Sequence, residues 1–157
     1  MLDPSIKQAE PMTVAFVAMT GRYEQIPIAF GILYGWVSSR GLEPVGMPLA
    51  VYLNDPQIVP ESEALWEVWA PVAGDPAEEG PDEKGLGIKK LPAMTVASVI
   101  HRGPYDTVAP TYEALGAWVA EQGYVLAGPP REAYMSDPAT AAPEDCLTEI
   151  HFPVQRA

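Results

Sequence analysis

The sequence predicts an α+β fold of two tandem β-α-β-β modules with pseudo-twofold symmetry, forming a mostly antiparallel sheet with two main helices on one side and a central cleft. Three observations predict it. Met12-Thr13-Val14-Ala15 recurs 82 residues later as Met94-Thr95-Val96-Ala97, and the same offset then holds without a gap. It gives 20 identities in the 61 pairs that match residues 12–72 with 94–154, where chance at this composition gives about four. Within each copy, β-branched and apolar runs flank one stretch of helical period. Glycine and proline separate the runs.

Each copy opens with a strand, Thr13 to Met19 or Thr95 to Ile100, that stops at a glycine turn, Gly21 or Gly103. A helix follows. Ile26, Phe30, Leu33, Trp36 and Val37 recur at helical spacing, as do Val108, Tyr112, Leu115, Trp118 and Val119. Pro27 and Pro110 fit the first turn of each helix, where the missing amide costs little. Gly41 and Gly123 suit left-handed C-terminal caps. Pro48 to Leu53 and Arg131 to Met135 read as second strands ended by Asp55-Pro56 and Asp137-Pro138 turns, and Leu65 to Val72 and Leu147 to Val154 as third strands. Ile6-Lys7 and Ile88-Lys89 obey the offset too, marking a leading strand in each copy. Residues 73–87, rich in Pro, Gly, Glu and Asp, read as the joining loop. The organisation is one domain over 1–157, with repeat 1 at about 6–72, the linker at 73–87 and repeat 2 at about 88–154.

Composition narrows the function classes. A formal charge of -12 opposes nucleic-acid phosphates, whose binding depends on Lys and Arg displacing counterions, so no direct nucleic-acid binding is expected. Cys146 is the only cysteine, which leaves neither an internal disulfide nor a cysteine cluster for zinc. The first residues lack the apolar run of a signal peptide, and no later stretch reaches membrane-spanning length. A cytoplasmic protein without membrane association is the expectation.

Glu67 and Glu149 occupy matching places in apolar third strands, Trp66-Glu67-Val68-Trp69 and Thr148-Glu149-Ile150-His151. Strand alternation puts Glu149 on one side with Leu147 and His151, opposite Ile150 and Phe152. That leaves two placements open, a wet outer face or a pocket walled by rings such as Trp69. In a pocket, the carboxylate's pKa rises or a cation compensates the charge. Tyr23 and Tyr105 follow the first glycine turns, and Tyr52 and Tyr134 precede the Asp-Pro turns, placing phenols at the rims. Tyr112, where the first copy has Phe30, brings a hydroxyl onto the helix's inward stripe that needs a partner there. His101 and His151 lie in strands without a spaced third ligand, so no metal site is expected. Neither a phosphate-binding glycine loop nor a nucleophile elbow is present, and no cofactor is expected.

These residues resemble the GyrI-like small-molecule-binding family, also found as effector-binding domains of AraC-type and MerR-type multidrug-responsive regulators. Three stretches carry the likeness: Val99-Ile100-His101-Arg102-Gly103-Pro104-Tyr105, Leu115-Gly116-Ala117-Trp118-Val119, and Thr148-Glu149-Ile150-His151-Phe152-Pro153-Val154. The resemblance implies uptake of hydrophobic, often cationic, xenobiotic compounds by aromatic walls and a buried glutamate. Glu149 matches the family's Glu-x-x-x-Pro-Val strand. The expected ligand-binding residues are Glu149, Tyr112, Tyr105, Tyr134, Glu67 and Trp69. Some members resemble hydrolases that open cyclopropane-containing genotoxins, which would make Glu149 and Tyr112 catalytic here. Others are described as DNA gyrase inhibitors, which would imply a protein partner. No helix-turn-helix precedes the module, so the expectation is a stand-alone binder.

Overall fold

The computed structural model describes residues 3–54, 58–104, 107–136 and 141–157. The chain divides into two compact units, Glu10–Ala93 and Met1–Ala9 with Met94–Ala157. The expected Asp55-Pro56 and Asp137-Pro138 turns and Tyr105 lie outside the described residues.

The first unit contains β2 (Met12–Thr20), α1 (Ile26–Ser39), β3 (Leu49–Tyr52), β4 (Leu65–Pro71) and β5 (Leu86–Leu91). Its strands pair antiparallel in the order β5-β2-β4-β3. The second contains β1 (Ser5–Ala9), β6 (Met94–Arg102), α2 (Ala109–Glu121), β7 (Tyr124–Leu126), β8 (Arg131–Tyr134) and β9 (Leu147–Arg156). Here the antiparallel order is β1-β6-β9-β8, with β7 also pairing β9. The units therefore repeat one architecture, as the sequence offset requires. No helix among the described residues is long and apolar enough to cross a membrane.

The leading strands depart from a simple tandem repeat. β1 precedes the first copy but pairs with β6 of the second, whereas β5 precedes the second copy and pairs with β2 of the first. Each sheet thus takes its edge strand from the other copy's leader. The linker is also more ordered than its composition predicts. β5 already begins at Leu86, and Glu79 bridges Ile88 through hydrogen bonds in both directions. The Asp82 side chain holds this strap, its carboxylate accepting the amides of Lys84 and Leu86. β7 was not signalled, because three residues are too few to show a period.

Each helix buries one stripe on its sheet. Ala29, Leu33 and Val37 of α1 are fully buried, and Thr111, Leu115 and Val119 occupy the matching places in α2. A fully buried Leu or Val contributes about 1.5–3 kcal/mol, so these stripes fix the helices where local propensity alone would not. Pro27 and Pro110 sit in the first turns, and Gly41 and Gly123 close the helices with φ of 68° and 81°. That left-handed backbone is the reason glycine ends both.

Candidate ligand-binding site

The helix-facing side of the second unit carries a polar cluster in an otherwise apolar layer. Ile150 and Phe152 of β9 pack with Leu115 and Val119 of α2. Glu132 is the cross-strand partner of Ile150, so its side chain shares that face. Only 5% of Glu132 is exposed. The Tyr112 hydroxyl, from the first turn of α2, donates to Glu132 Oε2 at 2.5 Å, and the Tyr134 hydroxyl donates to Oε1 at 3.3 Å. The Tyr112 ring stands edge-on to Phe152 with centroids 5.6 Å apart. Beside them lies Thr148, cross-strand partner of both Tyr134 and His101. Its hydroxyl is buried without a hydrogen-bond partner among the described residues.

His101 anchors the edge of this cluster. Its Nε2 lies 3.1 Å from the Pro104 carbonyl, which only accepts, so Nε2 carries the proton and Nδ1 accepts the Thr111 hydroxyl at 2.9 Å. The ring thereby ties the turn after β6 to the start of α2, one residue before Tyr112.

The first copy serves as an internal reference. At the matching places it carries Ala50, Phe30, Trp66, Met19 and Ala29, where the second has Glu132, Tyr112, Thr148, His101 and Thr111. Trp66 is fully buried there, its indole N–H satisfied by the Gly21 carbonyl at 2.9 Å. The first copy fills the space beneath its helix with indole and methyl groups. The second replaces the indole with threonine and adds a carboxylate.

Glu149 lies on the opposite side of the same sheet. Its side chain is 14% exposed, and polar groups rather than Trp or Tyr rings surround it. Lys7 donates to Oε2 at 2.6 Å, Ser98 donates to the same oxygen at 2.9 Å, and His151 Nε2 lies 3.0 Å from Oε1. Burial alone raises the pKa of Glu149, but these hydrogen bonds and the charge of His151 outweigh it and hold the pKa down to about 2. Of the two outcomes open from sequence, an internal cation compensates the charge and the raised pKa does not occur. Burial pushes the His151 pKa down against the pull of Glu149.

Glu67 repeats the arrangement in the first unit. Lys89, which matches Lys7 under the offset, reaches its Oε1 at 2.7 Å, and the Trp69 indole donates to the same atom at 2.8 Å. The expected residues therefore fall into separate groups. Tyr112 and Tyr134 meet around Glu132, Glu149 stands on the other face of that sheet, and Glu67 with Trp69 belongs to the first unit. The pairing of Tyr112 with Glu149 in one site is not present. Glu132 does not recur as Glu67 and Glu149 do; its one mark in the sequence is that of an acid in a short strand whose sister position is Ala50.

Residues 2–155 match the model of the GyrI-like small molecule binding domain. The chain belongs to that family. A DNA gyrase inhibitor of Erwinia billingiae is 29% identical to it over 161 residues, covering 99% of each chain. Its fold matches the C-terminal domain of EcmrR at a TM-score of 0.85 and 24% identity, over 100% of this chain and 99% of that one. In the EcmrR–DNA complex the match has a TM-score of 0.84 and 23% identity, and the 99% of this chain that aligns spans 58% of the longer EcmrR chain. A hydrolase from Listeria innocua shares the fold at a TM-score of 0.73 and 17% identity, over 97% of this chain and 91% of that one. Membership of the GyrI-like family makes this a small-molecule binding domain.

Proposed function

We propose that this GyrI-like domain binds hydrophobic, cationic small molecules beneath α2, with Glu132 as the charge that selects them. The observation that carries the reading is a carboxylate, 5% exposed, set under two phenol hydroxyls at the place where the sister copy has alanine. Removing a carboxylate from water costs several kcal/mol unless it is compensated. Phenol donors lower that cost, since hydrogen bonds to charged groups contribute about 1.5–3 kcal/mol each. An arriving cation adds Coulomb attraction, and a tyrosine face adds about 0.5–2 kcal/mol of cation–π energy. A neutral compound of the same shape gains neither.

Titration calorimetry with tetraphenylphosphonium, using triphenylphosphine oxide as the neutral counterpart, tests this. The cation binds and the oxide binds at least about tenfold more weakly, which corresponds to about 1.4 kcal/mol. Equal affinities would remove the charge from the account. The acidic composition makes direct DNA contact by this domain unfavourable at physiological salt, consistent with a small molecule as the partner.

A second reading is favoured by the short Tyr112–Glu132 contact, which places a proton donor and a proton acceptor on one site. With a strained cyclopropane conjugated to a carbonyl, water adds to the ring carbon and gives a proton to Glu132. The ring bond breaks toward the carbonyl oxygen, and Tyr112 protonates that oxygen. Such proton transfers contribute about 10²–10⁴-fold. Tyr112→Phe would then abolish ring opening while ligand is still bound, and retained turnover in that variant excludes the hydrolase.

A further inference from the structure

The linker strap and the first unit's sheet border a second feature, on the side away from α1. An open groove of about 450 Å³ is lined by Phe16, Glu67, Ile88 and Lys89 from the sheet and by residues 78–81 of the linker. The Lys89 ammonium sits 4.3 Å from the Phe16 ring centroid, 5.7 Å from that of Trp69 and 2.7 Å from Glu67 Oε1. Two ring faces and a carboxylate converging on one ammonium are the recognition geometry of cation cages.

The sister copy shows that the ion pair alone does not require the rings. Lys7 and Glu149 pair there at 2.6 Å, with Ser98 and His151 in the places of Phe16 and Trp69. The backbone has also been cleared to seat the first copy's ring. A Cβ at Gly87 would lie 2.8 Å from Phe16 Cζ and closer still to the Glu79 carbonyl, so only glycine lets ring and strap close over the sheet there. The strap brings two further carboxylates to the lining. Glu78 accepts the Lys90 amide and Glu79 is held by Arg40, which leaves three lining carboxylates beside one lining ammonium. Lys89 itself is 29% exposed and rides on a flexible stem from an edge strand.

We infer that the Phe16–Trp69–Glu67 cage is a binding site for small organic ammonium ions, and that Lys89 is its tethered occupant, which an external cation must displace. The site is separate from the Glu132 cluster and does not depend on it. The Trp69 indole N–H, hydrogen-bonded to Glu67, is a reporter inside the cage.

Tetramethylammonium chloride is titrated into ¹⁵N-labelled protein against matched sodium chloride, following the Trp69 indole resonance. In Lys89→Met the resonance shifts saturably, with an affinity about tenfold higher than in the unsubstituted chain, because the competing ammonium is gone. A resonance that stays still in folded Lys89→Met, or that moves equally with sodium chloride, overturns the inference. Should that variant lose its dispersed spectrum, Phe16→Leu in the otherwise unchanged chain must weaken the shift at least about threefold; a shift of unaltered affinity overturns it equally.

Discussion

Glu132 and Glu149 come from neighbouring strands of one sheet, yet burial has different consequences for them. Glu149 faces Lys7, and its carboxyl stays ionised down to about pH 2. Its folded pKa lies below the ordinary value of 4.5, so its stabilisation is complete above that value and is lost as pH falls toward 2. His151, whose pKa is also depressed, adds a loss that begins as pH falls through the ordinary histidine range near 6.5. Chemical denaturation at pH 7 and pH 3 should therefore show an acid-induced loss that Glu149→Gln reduces by roughly 1–2 kcal/mol, after discounting for the half-exposed Lys7. An undiminished loss in that variant would mean that other carboxylates dominate. Glu132 takes the Tyr112 and Tyr134 hydroxyls as donors. Its place in the cluster was hidden in the sequence because position 132 breaks the repeat, whereas Glu149 stood out because position 149 keeps it. Divergence between the copies, rather than identity, marks the Glu132 cluster.

At the scale of elements, the boundaries were legible wherever a period or a glycine stated them. β2 and β6 span identical offsets, and both helices end at left-handed glycines. Strand partners were not legible. Nothing in Ile6-Lys7 or Ile88-Lys89 says which copy's first strand they join, since both first strands offer the same Met-Thr-Val-Ala edge. The bonds inside the joining loop were not legible, because they are backbone bonds and contacts to the Asp82 carboxylate, which have no hydrophobic period. Two glycines separate these kinds of order experimentally. Gly87→Ala forces a methyl group against Phe16 and the strap and should cost about 1–3 kcal/mol. Gly31→Ala, in the helix α1 with open space around its Cβ, should instead stabilise by about 0.4–1 kcal/mol. Urea denaturation midpoints of the two variants should move in opposite directions, and a neutral Gly87→Ala would show that the strap does not press on Phe16.

At the scale of the whole molecule, exchange of the leading strands makes a distinctive prediction. Residues 1–9 belong to the second unit although they precede the first copy. Deleting them removes the edge partner of β6 together with the ammonium of Glu149, which leaves a buried carboxylate uncompensated. Hydrogen exchange should then quicken in β6 and β9 before it does in β2 and β4. Equal effects on all four strands would contradict the assignment of β1. The duplicated scaffold also explains how one sequence accommodates an apolar core in one copy and a polar cluster in the other: the repeat preserves the packing of Leu33 and Val37 as of Leu115 and Val119, while the residues beneath the helices differ.

The most direct test of that division is the affinity for tetraphenylphosphonium of Glu132→Gln and Glu149→Gln, measured by calorimetry on folded protein. The account predicts a loss of about 10–100-fold for Glu132→Gln, in line with about 1.4–2.8 kcal/mol for a buried charge interaction, and less than about threefold for Glu149→Gln. The reverse order, with Glu149→Gln abolishing binding and Glu132→Gln leaving it intact, would contradict it.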